Sequence, residues 1–363
     1  MKILGIESSC DETAAAVVED GFRVLSSVVN SQIDIHAQYG GVVPEIAARS
    51  HIEVINPVIR EALTRAQCSW NDIDAIAVTY APGLVGSLLV GTLAARTLAI
   101  LRDKPLYAIH HVEAHVYANF ITESNGSALQ LPSKQPEFPL LALIVSGGHT
   151  QLVLFHGHGD YELLGQTQDD AVGEAFDKVA KILGLPYPGG PSIAAAARHG
   201  DPEKYHLPKA KLDNPYNFSF SGLKTAVLRA VQHAVGKDFT FPSHELPKLI
   251  NDVQREDFAA SFQRVAVETL VERTLRAYSD FAPRSVVIAG GVAANQELRR
   301  QLSARLPIAI EYAPMQFCTD NAAMIATLGF FHTQYGIPAD PYTLDVIPSL
   351  SMVNTAWNSA KVL

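Results

Sequence analysis

The sequence predicts an α/β protein built from two related halves, and three observations predict it. Residues 2–109 alternate in the order βββ-α-β-α-β, which builds a sheet with parallel crossover units. A strand, a small polar turn and a second strand occur twice, over residues 2–19 and again over residues 140–155. The length, 363 residues, leaves room for two domains of ~150 residues each.

Each element has a local reason. Residues 2–7 form a short apolar run, closed by the polar turn Ser8-Ser9-Cys10-Asp11-Glu12. Residues 13–19 are a second, β-branched run. Asp20-Gly21 is a two-residue hairpin signal, and residues 22–29 read as a third strand. Pro44 opens a helix in which Ile46, Ile52, Ile55, Val58, Ile59 and Leu63 recur with a 3.6-residue period. Residues 75–79 read as a buried strand, Ala81-Pro82-Gly83 breaks the chain, 85–101 read as a helix and 106–109 as a strand. Residues 122–139 carry Pro132, Pro136 and Pro139 among small polar residues, which predicts a surface loop and a boundary.

The opening theme then returns. Residues 140–145 are apolar, Ser146-Gly147-Gly148-His149 is a small polar turn, 150–155 are apolar again, and 161–165 supply a third strand. Helices are expected over 170–183, 192–199, 221–235, 257–278, 295–306 and 321–331, with a Gly-Pro break at 184–191. A buried strand over 285–289 ends at Gly290-Gly291. The tail from Gly336 is Pro-rich and irregular.

Composition narrows the class. Apolar residues make up 48% and charged residues 18%, which is globular and excludes a disordered or fibrous chain. The formal net charge of −9 excludes nucleic-acid binding through global charge, so any such contact needs a local basic face. Residues 198–229 are one candidate, with Arg198, Lys204, Lys209, Lys211, Lys224 and Arg229 interleaved with Tyr205, Tyr216, Phe218 and Phe220. A solvated face with ordinary core aromatics is the alternative. The three cysteines, Cys10, Cys68 and Cys318, are irregularly spaced, which excludes a disulfide framework and fits a reducing compartment. The first apolar run is too short for a signal peptide, and no stretch approaches ~18 consecutive apolar residues. A soluble cytoplasmic protein without a membrane contact is expected.

The chemistry-bearing residues gather in a few places. The turn Ser146-Gly147-Gly148 can present backbone N–H groups to phosphate oxygens with no Cβ in the way, and Ser8-Ser9 fits the same role less well. The run VVIAGGVAAN at 286–295 is a strand, a glycine pair and a helix start. It is neither a Walker A loop nor the GxGxxG fingerprint, and a tight βα turn is the alternative to a ligand loop. His111 and His115 stand at i and i+4 on one helix face, a spacing that suits metal coordination. A third ligand must come from afar, and Asp320, in the knot Cys318-Thr319-Asp320-Asn321, is the candidate; capping the next helix is its alternative role. Glu113 lies about 200° round the helix from His111, so HVEAH lacks the glutamate placement of an HExxH peptidase. Asp11 and Glu12 could orient a metal, a water or an attacking amine, or could be a solvated hairpin tip.

Together, GIESSCDET, HAQYGGVVPEIAARSH, APGLVGSLLVG, HHVEAH, VSGGHTQL, DDAVGEAFDKVAKILGLPYPGGP, FSFSGLKTAV, AGGVAANQELR and CTDNAAMIA resemble the universal tRNA N6-adenosine threonylcarbamoyltransferases. The resemblance spans residues 3 to about 331, and SSCDET is closer to the bacterial and organellar branch than to the archaeal one. It implies the actin-like ATPase fold: two ribonuclease-H-like domains, at 1–109 with about 322–363 and at 110–321, around a nucleotide cleft. It implies one divalent metal, iron or zinc, held by His111, His115 and Asp320. It implies ATP, ADP or threonylcarbamoyl-adenylate held by Ile144, Val145, Ser146, Gly147, Gly148, Asp177, Gly190 and Asn295, with Asp11 and Glu12 as the acidic pair near the reacting group.

The implied reaction moves the threonylcarbamoyl group from its adenylate to N6 of adenosine 37 in tRNAs that read ANN codons, with Glu12 as the chosen base. The implied partners are tRNA, a catalytically inactive paralogue, a small P-loop ATPase and an upstream adenylate-forming synthetase. The loop at 122–139 and the tail after 336 depart from the family pattern. A small-molecule kinase of the same fold, a metallopeptidase and a non-catalytic nucleotide-binding scaffold are the rival readings.

Overall fold

A computed structural model describes residues 1–125 and 129–352. The expected loop at 122–139 and the expected tail therefore include positions, 126–128 and 353–363, that lie outside the described residues. The chain divides into two compact units: Met1–Leu140 with Phe155–Glu162 and Glu311–Leu363, and Leu141–Leu154 with Leu163–Ile310. This division differs from the expected boundaries at 109/110 and 321/322. Residues 110–140 belong to the first unit because the helix carrying HVEAH packs on the helix that follows Asn321.

The first unit holds a six-stranded sheet. Its strands are β1 (Lys2–Glu7), β2 (Glu12–Glu19), β3 (Arg23–Ser31), β4 (Ala75–Ala81), β5 (Leu106–His110) and the short β6 (Glu123–Ser124), in the order β5-β4-β1-β2-β3-β6. β1, β2 and β3 pair antiparallel and β1, β4 and β5 pair parallel, as the βββ-α-β-α-β order requires. The helices are α1 (Ile33–Ala37), which no periodicity announced, α2 (Pro44–Arg65), α3 (Val85–Arg102) and α4 (His111–Tyr117). α2 buries Ile55, Val58, Ile59, Ala62 and Leu63 against Leu4, Ile6, Ala15, Val17, Ile76 and Val78 of the sheet, and buries Ala47 near its start. Ile46 and Ile52 are not part of that buried stripe.

α3 corrects one expectation. By length and mean hydropathy, 1.4 over 18 residues, it is apolar enough to cross a membrane. A count of consecutive apolar residues overlooks it because Gly, Ser, Thr and Arg interrupt the run. It packs on α2 and β4 and buries Ser87, Leu88, Gly91, Thr92, Ala95 and Ala99. A core helix of a folded domain passes the same length test.

The second sheet is β7 (Leu140–Val145), β8 (Thr150–Gly157), β9 (Asp160–Gln166) and β10 (Ser285–Ala289), ordered β10-β7-β8-β9. Around it stand α5 (Val172–Leu183), α6 (Gly189–Ala196), α7 (Ser221–Ala234), α8 (Asp252–Phe281) and α9 (Gln296–Arg305). α6 begins three residues before the expected Ser192. Pro188 is its N-cap and Pro191 sits in its first turn, where a missing N–H costs nothing. α8 starts five residues before the expected Asp257, set by a reciprocal capping box between Asn251 and Gln254. The chain then returns to the first unit through α10 (Met315–Cys318) and α11 (Ala322–Tyr335), which packs on β1.

Candidate metal centre

β5 ends at His110, whose side chain accepts the Glu113 N–H and so caps α4 at its N-terminus. This starts α4 at His111 and places His111 and His115 one turn apart, with ring centroids 4.7 Å from each other. The third member arrives from the knot before α11. There Asn321, not Thr319 or Asp320, caps the helix: its Oδ1 accepts the Met324 N–H and its Nδ2 donates to the Thr319 and Phe317 carbonyls. Asp320 is thereby left to face the histidines. Its Oδ1 lies 3.5 Å from His111 Nε2 and 3.3 Å from His115 Nε2.

One atom from each of His111, His115 and Asp320 falls within 4.8 Å of the others, a group that could hold a metal ion. The donor set fits one. Two imidazoles and a carboxylate on one side of a site suit zinc or ferrous iron. His115 is 2% exposed, yet neither of its ring nitrogens has a hydrogen-bond partner among the described residues, Asp320 at 3.3 Å from Nε2 being an ion-pair neighbour only. A buried imidazole without a partner is costly, and a cation on Nε2 removes part of that cost. Burial alone would raise the Asp320 carboxyl, but His111 and then His115 hold it well below the usual carboxylate range. Burial alone would lower His111, but Glu7 and Asp320 hold it well above its ordinary value.

The turn after β1 meets this group. Ser9 Oγ lies 3.2 Å from His111 Nδ1, and Glu7 Oε2 lies 2.9 Å from the same nitrogen. His51, on the buried face of α2 with Ala47 and Ile55, fixes the turn from the other side. Its Nδ1 accepts from the Thr13 hydroxyl at 2.7 Å and its Nε2–H donates to the Cys10 carbonyl at 3.0 Å. Asp11 is buried, and Glu12 Oε1 accepts from Ser31 Oγ at 3.1 Å, so neither is the tip of a solvated hairpin. Burial, then the charges of Asp320 and Asp11, pushes the Glu12 carboxyl up to about 9. The expected base therefore favours its protonated form at neutral pH. Sequence reasoning does not reach Glu7 or His51, and it reads Ser9 only as part of a phosphate-type turn. For His51 a signal exists: it falls on the apolar stripe of α2, four residues from Ala47 and from Ile55.

Glu113 is fully buried, and its Oε2 accepts from Tyr161 O–H at 3.3 Å. Burial pushes its carboxyl up to about 8. It is tied to Tyr161 and takes no part in the His111–His115–Asp320 group.

The residues expected at the nucleotide lie in the second unit. Ile144 and Val145 are core residues at the end of β7. Ser146 closes the turn by bonding its N–H to the His149 carbonyl at 2.8 Å and accepting the His149 N–H on Oγ at 3.1 Å. Gly147 and Gly148 are exposed, and a Cβ on either would meet nothing within 4 Å. The turn is thus open on one side. On the other it is packed, since a Cβ on Gly173 would strike the Ser146 carbonyl and one on Gly290 would strike the Val145 carbonyl. The first of the paired glycines after β10 has φ +90, so it serves close β10–β7 packing. Asp177 Oδ1 accepts the Gly189 N–H at 2.7 Å, which ties α5 to the start of α6 beside Gly190. Asn295 caps α9 through Oδ1 and donates through Nδ2 to Gln263 at 3.0 Å.

The basic stretch at 198–229 resolves mostly to structure. Lys209 pairs with Glu268 and Glu272, Lys224 pairs with Asp170, and Phe218 and Phe220 are fully buried. Among the described residues Arg198, Lys204 and Lys211 are not held this way, and all three are exposed.

A family model described as tRNA N6-adenosine threonylcarbamoyltransferase matches residues 23–327. A protein of that name from Symbiobacterium thermophilum is 54% identical over 353 residues, covering 96% of each chain. One from Thermomicrobium roseum is 51% identical over 360 residues, covering 97% of each. Among solved structures, HypF of T. kodakarensis superposes with a TM-score of 0.58 at 13% identity, over 94% of this chain and 49% of that one. That likeness bears on the fold alone, and the fold is the expected actin-like ATPase fold.

Proposed function

The chain belongs to the tRNA N6-adenosine threonylcarbamoyltransferase family, and from that premise we propose that it transfers the threonylcarbamoyl group of threonylcarbamoyl-adenylate to N6 of adenosine 37 in tRNAs reading ANN codons. The observation that carries the site assignment is the convergence of His111, His115 and Asp320, from two distant stretches of chain, on one point.

In this reading N6 attacks the carbamoyl carbon, the new C–N bond replaces the C–O bond to phosphate, AMP departs, and N6 gives up a proton. Iron or zinc held by His111, His115 and Asp320 would supply Lewis-acid polarisation of a carbonyl or phosphate oxygen. The chain's own groups do the rest. The open side of the Ser146-Gly147-Gly148 turn supports a role for its backbone N–H groups in holding the phosphate. Asp177, through Gly189, keeps Gly190 and the start of α6 in place as a wall for the adenylate. Asn295 steadies the loop after β10. Asp11 and Glu12 face the acceptor, and Glu12 takes the N6 proton. Burial, the largest cause of its raised proton affinity, persists when Asp320 is neutralised, so once ionised it is a stronger base than a solvated carboxylate. Because adenine N6 is a weak nucleophile, fixed geometry supplies much of the rate. Glu113, held by Tyr161, does not favour a peptidase.

The reading includes an inactive paralogue, a small P-loop ATPase and the upstream synthetase as partners, in the cytoplasm. The test is reconstitution: this chain, those partners, ATP, threonine, bicarbonate and unmodified tRNA. Mass spectrometry of the digested tRNA should show threonylcarbamoyl-adenosine. Its absence would contradict the proposed transfer, and undiminished product from Glu12→Gln would contradict the role of Glu12 as base.

A further inference from the structure

We propose that Glu7 is the positioning residue of the metal centre: it fixes His111 as an Nε2 ligand and supplies the second negative charge that a bound divalent cation needs. This rests on the metal-centre reading above and deepens it.

Glu7 is the last residue of β1, in the middle of the first sheet, and it is fully buried. A carboxylate in such a place needs donors and a cation. Its donors are complete. Oε1 accepts the Ser9 N–H at 2.5 Å, and Oε2 accepts the Thr79 hydroxyl at 2.6 Å and faces His111 Nδ1 at 2.9 Å. Among the described residues no lysine or arginine pairs with it, and its one ion-pair partner is His111. Asp320, among the described residues, pairs only with the two histidines. Two carboxylates around two imidazoles leave a formal charge of −2 that one divalent cation balances.

The geometry also settles which nitrogen faces the ion. A neutral His111 ring has one N–H, and of the two carboxylates that face it the nearer one takes it: Glu7 at 2.9 Å from Nδ1, against Asp320 at 3.5 Å from Nε2. The lone pair is then on Nε2, the atom nearer Asp320. Metal-binding histidines regularly donate their other N–H in this way, and loss of the acceptor typically weakens metal binding 10–100-fold. Among the described residues nothing supports His115 at Nδ1 in this way, so His111 is the anchored member of the pair. A glutamine at position 7 cannot replace the carboxylate. With three donors aimed at two oxygens, its NH2 must point at a donor in either orientation.

The experiment uses the full chain stripped of metal and titrated with Zn2+ against a chromophoric chelator. Glu7→Gln should bind Zn2+ 10–100-fold more weakly than wild type. Thr79→Val, which removes another partner of the same carboxylate, should stay within about threefold. Equal affinity of Glu7→Gln and wild type overturns the inference while the metal-centre reading stands. Zn2+ binding that survives His111→Ala unchanged overturns the metal-centre reading, and the inference with it. Should Glu7→Gln not fold, ring-nitrogen NMR of the Zn2+-loaded wild type decides. His111 should carry its proton on Nδ1 and the metal on Nε2, and the opposite tautomer overturns the inference.

Discussion

His51 Nε2 lies 3.0 Å from the carbonyl oxygen of Cys10, so a helix side chain holds the backbone of the turn that carries Asp11 and Glu12. The same ring bonds Thr13 at 2.7 Å, and burial lowers its affinity for a proton, which keeps the neutral form these two bonds require. His51→Ala leaves a buried hydroxyl and a buried carbonyl short of a partner, at a cost of about 1–3 kcal/mol. Denaturant unfolding should register that loss. The rate of threonylcarbamoyl transfer should fall more than the stability loss alone explains, with Zn2+ affinity little changed. An unaltered rate would refute the positioning role.

Gly5 and Gly148 should respond oppositely to alanine. A Cβ at Gly5 would overlap the Ala322 carbonyl oxygen and the Ala326 nitrogen of α11, the helix that follows Asp320. Overpacking of that kind costs about 1–3 kcal/mol, and Gly5→Ala should lower Tm and Zn2+ affinity together. Gly148→Ala meets open space and should leave Tm within about a degree or two, since an unconstrained surface change costs no more than about 0.5 kcal/mol. Differential scanning calorimetry of the two variants checks the Tm statements, and chelator titration checks the affinity.

Asp177→Ala should separate the two halves of the chemistry. Loss of the Gly189 N–H acceptor frees the start of α6, so KM for threonylcarbamoyl-adenylate should rise about tenfold or more, consistent with losing a charged hydrogen bond. Metal content should not change. A variant that loses metal but keeps KM would reverse the assignment of the two units.

Acid stability should carry the mark of His332. Burial pushes this imidazole down to about 3. As pH falls below about 6.5 the unfolded chain takes up the proton and the folded chain does not, so stability present at pH 7 is progressively lost toward pH 3. Between pH 7 and pH 5 the loss from this group is on the order of 2 kcal/mol. Glu12 and Glu113, raised to about 9 and about 8, act in the opposite sense over the same range. The comparison to make is therefore His332→Leu against wild type. The variant should gain on wild type by that amount between pH 7 and pH 5, and a constant difference would contradict the assignment.

Much of this was legible in the sequence because period and punctuation coincided. β1, β7 and β10 begin and end where their apolar runs do, and α2 starts at Pro44 as a proline at the first helical position predicts. The i, i+4 spacing of His111 and His115 foretold a shared face, and the polar knot before the last long helix offered Asp320, which the family resemblance also implied. What stayed hidden depends on contacts between distant residues. Nothing in GIESS says that Glu7 will meet a histidine 104 positions away. Nor does the sequence say that Asn321 will take the capping role and leave Asp320 to the histidines. Local signals failed where two punctuators compete. Pro188 and Pro191 read as part of a break at 184–191, yet proline is also at home in the first turn of a helix, and α6 starts there. Phe218 and Phe220, which beside lysines resembled a stacking platform, are core residues, because apolar burial outweighs what their charged neighbours suggest.

If His111, His115 and Asp320 hold the cation that polarises the substrate, transfer must slow when one of them is removed. Single-turnover transfer from purified threonylcarbamoyl-adenylate to unmodified tRNA, in the reconstituted system, measures this for wild type and His115→Ala. Wild type should form threonylcarbamoyl-adenosine at position 37, and the variant should be slower by roughly 100-fold or more, as for loss of several kcal/mol of Lewis-acid stabilisation. Equal rates in the two proteins, with metal absent from the variant, would contradict the proposed mechanism.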